Sequence, residues 1–317
     1  MAATDSPRGL IIDLITPLKK DGEIDGRSLG RMLDRVLPCI QGIFLSSPYM
    51  GQGTVLTDLQ REDLFEKTLV VVRGRAPILT WITGKDTQDT EKIRLRLEKR
   101  KEIRKYTGPL FWVDTPLYYH SNRGLFEHYR RLSSAPGAPF VLHNDPELIQ
   151  GISRPLKRNN LRTSILKELA TLPRIKGLIF LGSLDRARHY QRAVRRRTDF
   201  RMYDGDESQF LDYPSRSGLV SAGANLAPKA WNKITAASLN MPGSEKKYPD
   251  QLQQLWETGK FLRSMFDMYR GRDLLFMQQA LAETGLIESP EGLPGGEKGR
   301  EDLAPLIALM KKYEDPA

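Results

Sequence analysis

The constraint that narrows the fold most is an alternation that runs through the chain as far as Met241. Short apolar, β-rich runs stand at 10–15, 42–46, 78–82, 110–113, 140–142, 177–181, 200–203 and 218–221. Longer stretches with helical periodicity lie between and after them, at 28–40, 59–72, 87–106, 125–132, 165–172, 186–197 and 227–239. Runs this apolar are covered on both faces, and parallel neighbours of that kind need helical crossovers. Eight of them predict an α/β protein, a TIM (β/α)8 barrel over 1–241, with its chemistry in the loops after the strands. Beyond Met241 the pattern is helical only, at 249–268, 273–284 and 301–313. Pro242-Gly243-Ser244 marks the boundary, and 289–299 is a Gly/Pro-rich loop. Residues 242–317 are therefore expected to form a C-terminal helical extension packed on the barrel. Its apolar positions, such as Leu255, Phe261 and Phe266, exceed what one barrel needs and point to a subunit contact.

Composition removes several classes. Hydrophobic residues make up 39% and charged residues 28% of the 317, so wholesale disorder is excluded. No run of about 18 apolar residues offers a membrane span, and the start of the chain carries no apolar signal segment. Cys39 is the only cysteine, which excludes an internal disulfide and a cysteine-built metal cluster. These features predict a cytoplasmic protein. The formal net charge of +10 favours anionic partners. The excess is concentrated in 92–105, with eight basic and two acidic side chains, and in 186–201, with seven and one. Ala187, Tyr190 and Val194 keep helical spacing in the second stretch, so its arginines belong on an outer helix face. Neither stretch interleaves aromatics with its basic residues, so nucleic-acid binding is the weakest of the functional readings.

Several motifs, in order, carry a resemblance. They are Ile15-Thr16-Pro17-Leu18 with Asp21-Gly22, Thr115-Pro116-Leu117-Tyr118-Tyr119 with Gly124-Leu125-Phe126-Glu127-His128-Tyr129, Tyr203-Asp204-Gly205-Asp206-Glu207, and Gly218-Leu219-Val220-Ser221-Ala222-Gly223-Ala224-Asn225. Together they resemble the dihydrodipicolinate synthase / N-acetylneuraminate lyase family along essentially the whole chain. The resemblance implies a TIM barrel with C-terminal helices, assembled as a dimer or a dimer of dimers. It also implies a lysine on the sixth strand whose amine forms a Schiff base with pyruvate.

At that position this chain has Ile179. Lys176 is three residues earlier, so strand alternation turns it to the other face. The family's tyrosine and arginine of the fifth-strand motif read His143 and Leu148 in His143-Asn144-Asp145-Pro146-Glu147-Leu148, and its threonine pair falls in Ser47-Pro48-Tyr49-Met50-Gly51-Gln52. Tyr118, or Tyr119 under a shifted gap, keeps the partner tyrosine. The expected pocket is Ser47, Tyr49, Tyr118, Tyr119, His143, Ile179, Gly205 and Val220, with no cofactor and no metal. His120 and His128 lack a third metal-ligand partner. Three readings follow. The first is a family member without Schiff-base chemistry that binds a ligand or serves in assembly. The second is a lyase or aldolase acting on a keto acid or other small anion through a rebuilt site, in which Lys85, Tyr118 and His143 would be catalytic. The third is nucleic-acid binding through the basic helices.

Overall fold

The computed structural model describes residues 5–134, 136–151, 158–215, 217–239, 248–290 and 302–314. Eight parallel strands close into a barrel in sequence order. They are β1 (Gly9–Asp13), β2 (Gly42–Leu45), β3 (Ile78–Trp81), β4 (Leu110–Asp114), β5 (Phe140–Asn144), β6 (Ile175–Phe180), β7 (Arg201–Asp204) and β8 (Gly218–Ser221). The helices of the first half are α1 (Gly26–Val36), α2 (Asp58–Val72), α3 (Thr87–Ile103), α4 (Pro116–Tyr119), α5 (Leu125–Ser134), α6 (Pro146–Gln150) and α7 (Thr163–Leu169). Those of the second are α8 (Leu184–Val194), α9 (Glu207–Asp212), α10 (Pro228–Leu239), α11 (Tyr248–Tyr269), α12 (Leu274–Glu283) and α13 (Ala304–Glu314).

Strand alternation splits the apolar residues into two cores. Ile11, Phe44, Trp81, Val113, Ile179 and Tyr203 fill the barrel. Leu10, Ile12, Trp112, Leu142 and Leu178 face outward and pack under the helices. At the seam where β8 closes onto β1, a Cβ on Gly218 (φ +125°) would fall 1.9 Å from the Gly9 carbonyl oxygen, so only glycine lets the strands meet. The opening segment closes the N-terminal end of the barrel. The Tyr203 hydroxyl donates to the Pro7 carbonyl, and the Ser6 hydroxyl donates to the Lys176 carbonyl.

The eight strands and the outer helices lie where the periodicity puts them, with small differences at the ends. Leu14 and Ile15 leave the β1 ladder, while β5 and β6 run longer than expected. Helices α4, α6 and α9 are absent from the sequence reading. Each is only one or two turns long and starts beside a Pro or a capping Asp, too short to show a period. Helix α11 packs on α9 and α10, and α13 packs on α10, α11 and α12. Two of the α11 residues expected at a subunit contact, Phe261 and Phe266, are partly buried and pack against the outer core, and among the described side chains of α11 the large apolar ones that are exposed are Leu252 and Trp256. Pro242-Gly243-Ser244 and 291–299 lie outside the described residues.

Candidate functional site

A cavity of about 500 Å³ opens at the C-terminal ends of the strands, the face where this architecture places ligands. Of the residues expected there, Tyr49, His143, Ile179, Gly205 and Val220 line it. Ile179 sits in register between His143 on β5 and Tyr203 on β7 and is 1% exposed. It turns into the barrel and packs with Phe44 and Val220. Lys176 faces the other way, its Nζ 2.9 Å from Asp199 Oδ2. Leu148 packs with the same interior cluster.

The other three expected lining residues and the candidate Lys85 are not part of the lining, for separate reasons. Ser47 is buried in the β2–α2 loop, where its hydroxyl accepts the Gly51 N–H at 2.8 Å. Tyr118 stands edge-on to Trp81 at 6.3 Å between centroids and caps the interior cluster. Tyr119 lies behind the barrel wall and donates to Asp114 Oδ2 at 2.8 Å. Asp114 also accepts Tyr129 and Thr83, so Tyr119 serves a buried carboxylate instead of the cavity. Lys85 is exposed on the β3–α3 loop, its backbone N–H donating to Asp89 Oδ2 at 3.1 Å. His120 and His128 stack at 5.1 Å, and His128 Nε2 lies 3.0 Å from the Tyr119 hydroxyl. Among the described residues no group of three His, Cys, Asp or Glu converges as a metal site.

The residues that sequence reasoning missed are charged. Asp13, at the end of β1, shares the inward parity of Ile11 and lines the cavity. Asn225 holds that strand end in place, donating to the Asp13 carbonyl at 2.7 Å and accepting the Ile15 N–H at 3.2 Å. Burial pushes the Asp13 carboxyl up from 3.8 to about 7, against the pull of the Ser47 hydroxyl, and the Glu207 charge adds to the rise. Its Oδ1 is buried without a hydrogen-bond partner. Glu207 stands at the start of α9, also in the lining. It accepts the Ser221 hydroxyl, the Gly223 N–H at 2.7 Å and the Tyr269 hydroxyl at 2.5 Å, which partly offset the upward push of burial. One signal for Asp13 was available: an acid inside an otherwise apolar strand, at the parity of the barrel interior.

His143 lies 2.8 Å, through Nδ1, from Thr115 Oγ1, which also accepts the Trp81 indole N–H at 2.9 Å. Burial pushes the imidazole down to about 3, so it is neutral at physiological pH. The lining also holds buried Asp145, exposed Glu147 and Asp206, and Arg270 and Arg272 of the α11–α12 connection. Tyr49 is half-exposed at the mouth, its hydroxyl pushed up to about 12 by burial and by the charges of Asp145 and Glu147.

Comparison with known proteins adds ancestry to this geometry. Residues 6–266 match the model of the dihydrodipicolinate synthetase family. The 4-hydroxy-tetrahydrodipicolinate synthase of Bdellovibrio bacteriovorus is 24% identical over 96% of this chain and 97% of its own. That of Xylella fastidiosa is 29% identical over 71% of each. Among solved structures, a putative dihydrodipicolinate synthetase from Pseudomonas aeruginosa superposes with a TM-score of 0.78 at 20% identity, covering 97% of this chain and 100% of its own.

Proposed function

The chain belongs to the dihydrodipicolinate synthetase family, and from that premise we propose that it is a member whose pyruvate Schiff-base site is dismantled. On this reading the barrel is retained as a small-ligand-binding protein without the family's lyase or aldolase turnover. The observation that carries the reading is the cavity lining. It holds no lysine among the described residues, and the inward β6 side chain is Ile179. A Schiff base needs an unprotonated amine at the reacting carbon, and isoleucine supplies none. Leucine at 148 likewise offers no guanidinium to a carboxylate, and charge-assisted bonds of that kind are worth about 1.5–3 kcal/mol each.

The barrel, 1–241, supplies the floor of this site and the helical extension, 242–317, part of its rim, through Arg270 and Arg272. The single cysteine and the family fit a cytoplasmic homo-oligomer. The alternative of a lyase or aldolase with a rebuilt site draws little support. Lys85 is exposed outside the lining, Tyr118 packs on Trp81, and burial holds His143 uncharged. The nucleic-acid reading is weakened by the use of Arg96, Arg100 and Arg104 in ion pairs between α2 and α3. Calorimetric titration of the full chain with pyruvate tests the reading. No saturable heat is expected, and saturable binding with turnover in a dihydrodipicolinate synthase assay would overturn it.

A further inference from the structure

The charge of the cavity runs against the charge of the molecule. The chain as a whole is +10, yet the described cavity lining holds five carboxyls, Asp13, Asp145, Glu147, Asp206 and Glu207, against two guanidiniums. The imbalance is steepest at depth. Arg270 and Arg272 are exposed at the rim, where each also lies over an aromatic ring, of Phe266 and Phe276 respectively. The floor pairs Asp13 and Glu207 with apolar Phe44, Ile179 and Val220 and with the neutral His143, and has no lysine or arginine among the described residues. Glu207 is already supplied with donors by Ser221, Gly223 and Tyr269. Asp13 has the Ser47 hydroxyl alone, and its Oδ1 is buried without a hydrogen-bond partner. A buried acceptor left without a donor is costly, and a carboxylate in a low-dielectric wall attracts a cation more strongly than one in water.

We propose that this cavity takes a small organic cation, a primary amine with a short apolar body, whose ammonium is received by Asp13 at the floor. An ammonium brings three N–H donors and the missing positive charge. The apolar body matches Ile179, Val220 and Phe44, and a volume of about 500 Å³ is within the range of small-molecule sites. A metal ion is the poorer fit, since no three ligating side chains converge among the described residues. Keto acids fit poorly as well, because their carboxylate would enter a floor that already holds two carboxyls.

The inference rests on the reading of the cavity as a ligand site without Schiff-base chemistry, and it fails separately from that reading. A covalent pyruvate adduct would undo the parent reading whatever amines do. The test of the cation is calorimetry of the full chain with three probes of equal length: n-butylammonium chloride, n-butanol and sodium butyrate. The ammonium is expected to bind at least about tenfold more tightly than the alcohol, with no binding of butyrate. Asp13→Asn, or Asp13→Ser where the first variant does not fold, is expected to abolish that preference. Butyrate binding as tightly as butylammonium, binding of no probe at millimolar concentration, or an unchanged preference in the Asp13 variant would each overturn the proposal.

Discussion

At the scale of single residues, the proposed loss of Schiff-base chemistry turns on Ile179 and on what stands near it. A lysine placed at Ile179 would enter a cavity lined by Asp13 and Glu207. Opposite charges nearby favour the ammonium over the free amine, so such a lysine is a poor nucleophile. Ile179→Lys is therefore expected to show no dihydrodipicolinate synthase turnover. A steady-state rate within tenfold of a family enzyme would refute this. Asp13 yields a prediction about stability. Its pKa in the folded chain, about 7, exceeds the ordinary 3.8, so the folded state binds the proton more tightly than the unfolded state. Stability is lost as pH rises from about 4 through 7, and the cost is complete above 7. Asp13→Asn cannot ionise and should be more stable than the parent at pH 8 by about 4 kcal/mol, with the gap closed near pH 4. Melting temperatures of both proteins across that range decide it, and a gap independent of pH would contradict it. Ile179, His143 and Tyr49 were legible in the sequence because a motif order fixed their register. Asp13 was only partly so: its inward parity was available, but an acid in an apolar strand reads as part of the strand until its neighbours are known.

At the scale of elements, the basic stretch 92–105 finds much of its use inside the fold. Arg96 and Arg100 on α3 and Arg104 at its C-cap recur one turn apart and meet Asp58, Glu62 and Glu66, which recur one turn apart on α2. Glu62 bridges Arg96 and Arg100 with its side chain 11% exposed. Its loss removes one of two carboxylates from each guanidinium and leaves Asp58 to Arg96 and Glu66 to Arg100. Glu62→Gln is expected to destabilise by about 1 kcal/mol in low salt and by less in high salt. Urea denaturation at two ionic strengths measures the difference, and a variant as stable as the parent in both would show that the ladder contributes nothing. Helix α8 was legible down to its buried face of Ala187, Tyr190 and Val194. The ladder was not, because pairing across two helices depends on their crossing and leaves no trace in either sequence alone. Short α4, α6 and α9 escaped for a similar reason: their caps and prolines are local, while their positions are set by the barrel mouth.

At the scale of the whole molecule, the alternation of strands and helices was enough to specify a closed barrel, since eight parallel strands with helical crossovers have few other ways to bury both faces. The assembly was less legible. Phe261 and Phe266 are partly buried against the outer core, and among the described side chains of α11 Leu252 and Trp256, four residues apart, are 50% and 64% exposed. If this face is the subunit contact, light scattering should give a multiple of 36.1 kDa. Trp256→Glu should then shift the population toward the monomer. A parent protein that is monomeric at micromolar concentration would contradict the expected homo-oligomer. No lysine of this barrel is expected to capture pyruvate, and incubating the full chain with pyruvate and borohydride and recording the intact mass decides the matter. The expected spectrum is that of the unmodified chain. A trapped adduct on any lysine would contradict this expectation and return the protein to the Schiff-base enzymes.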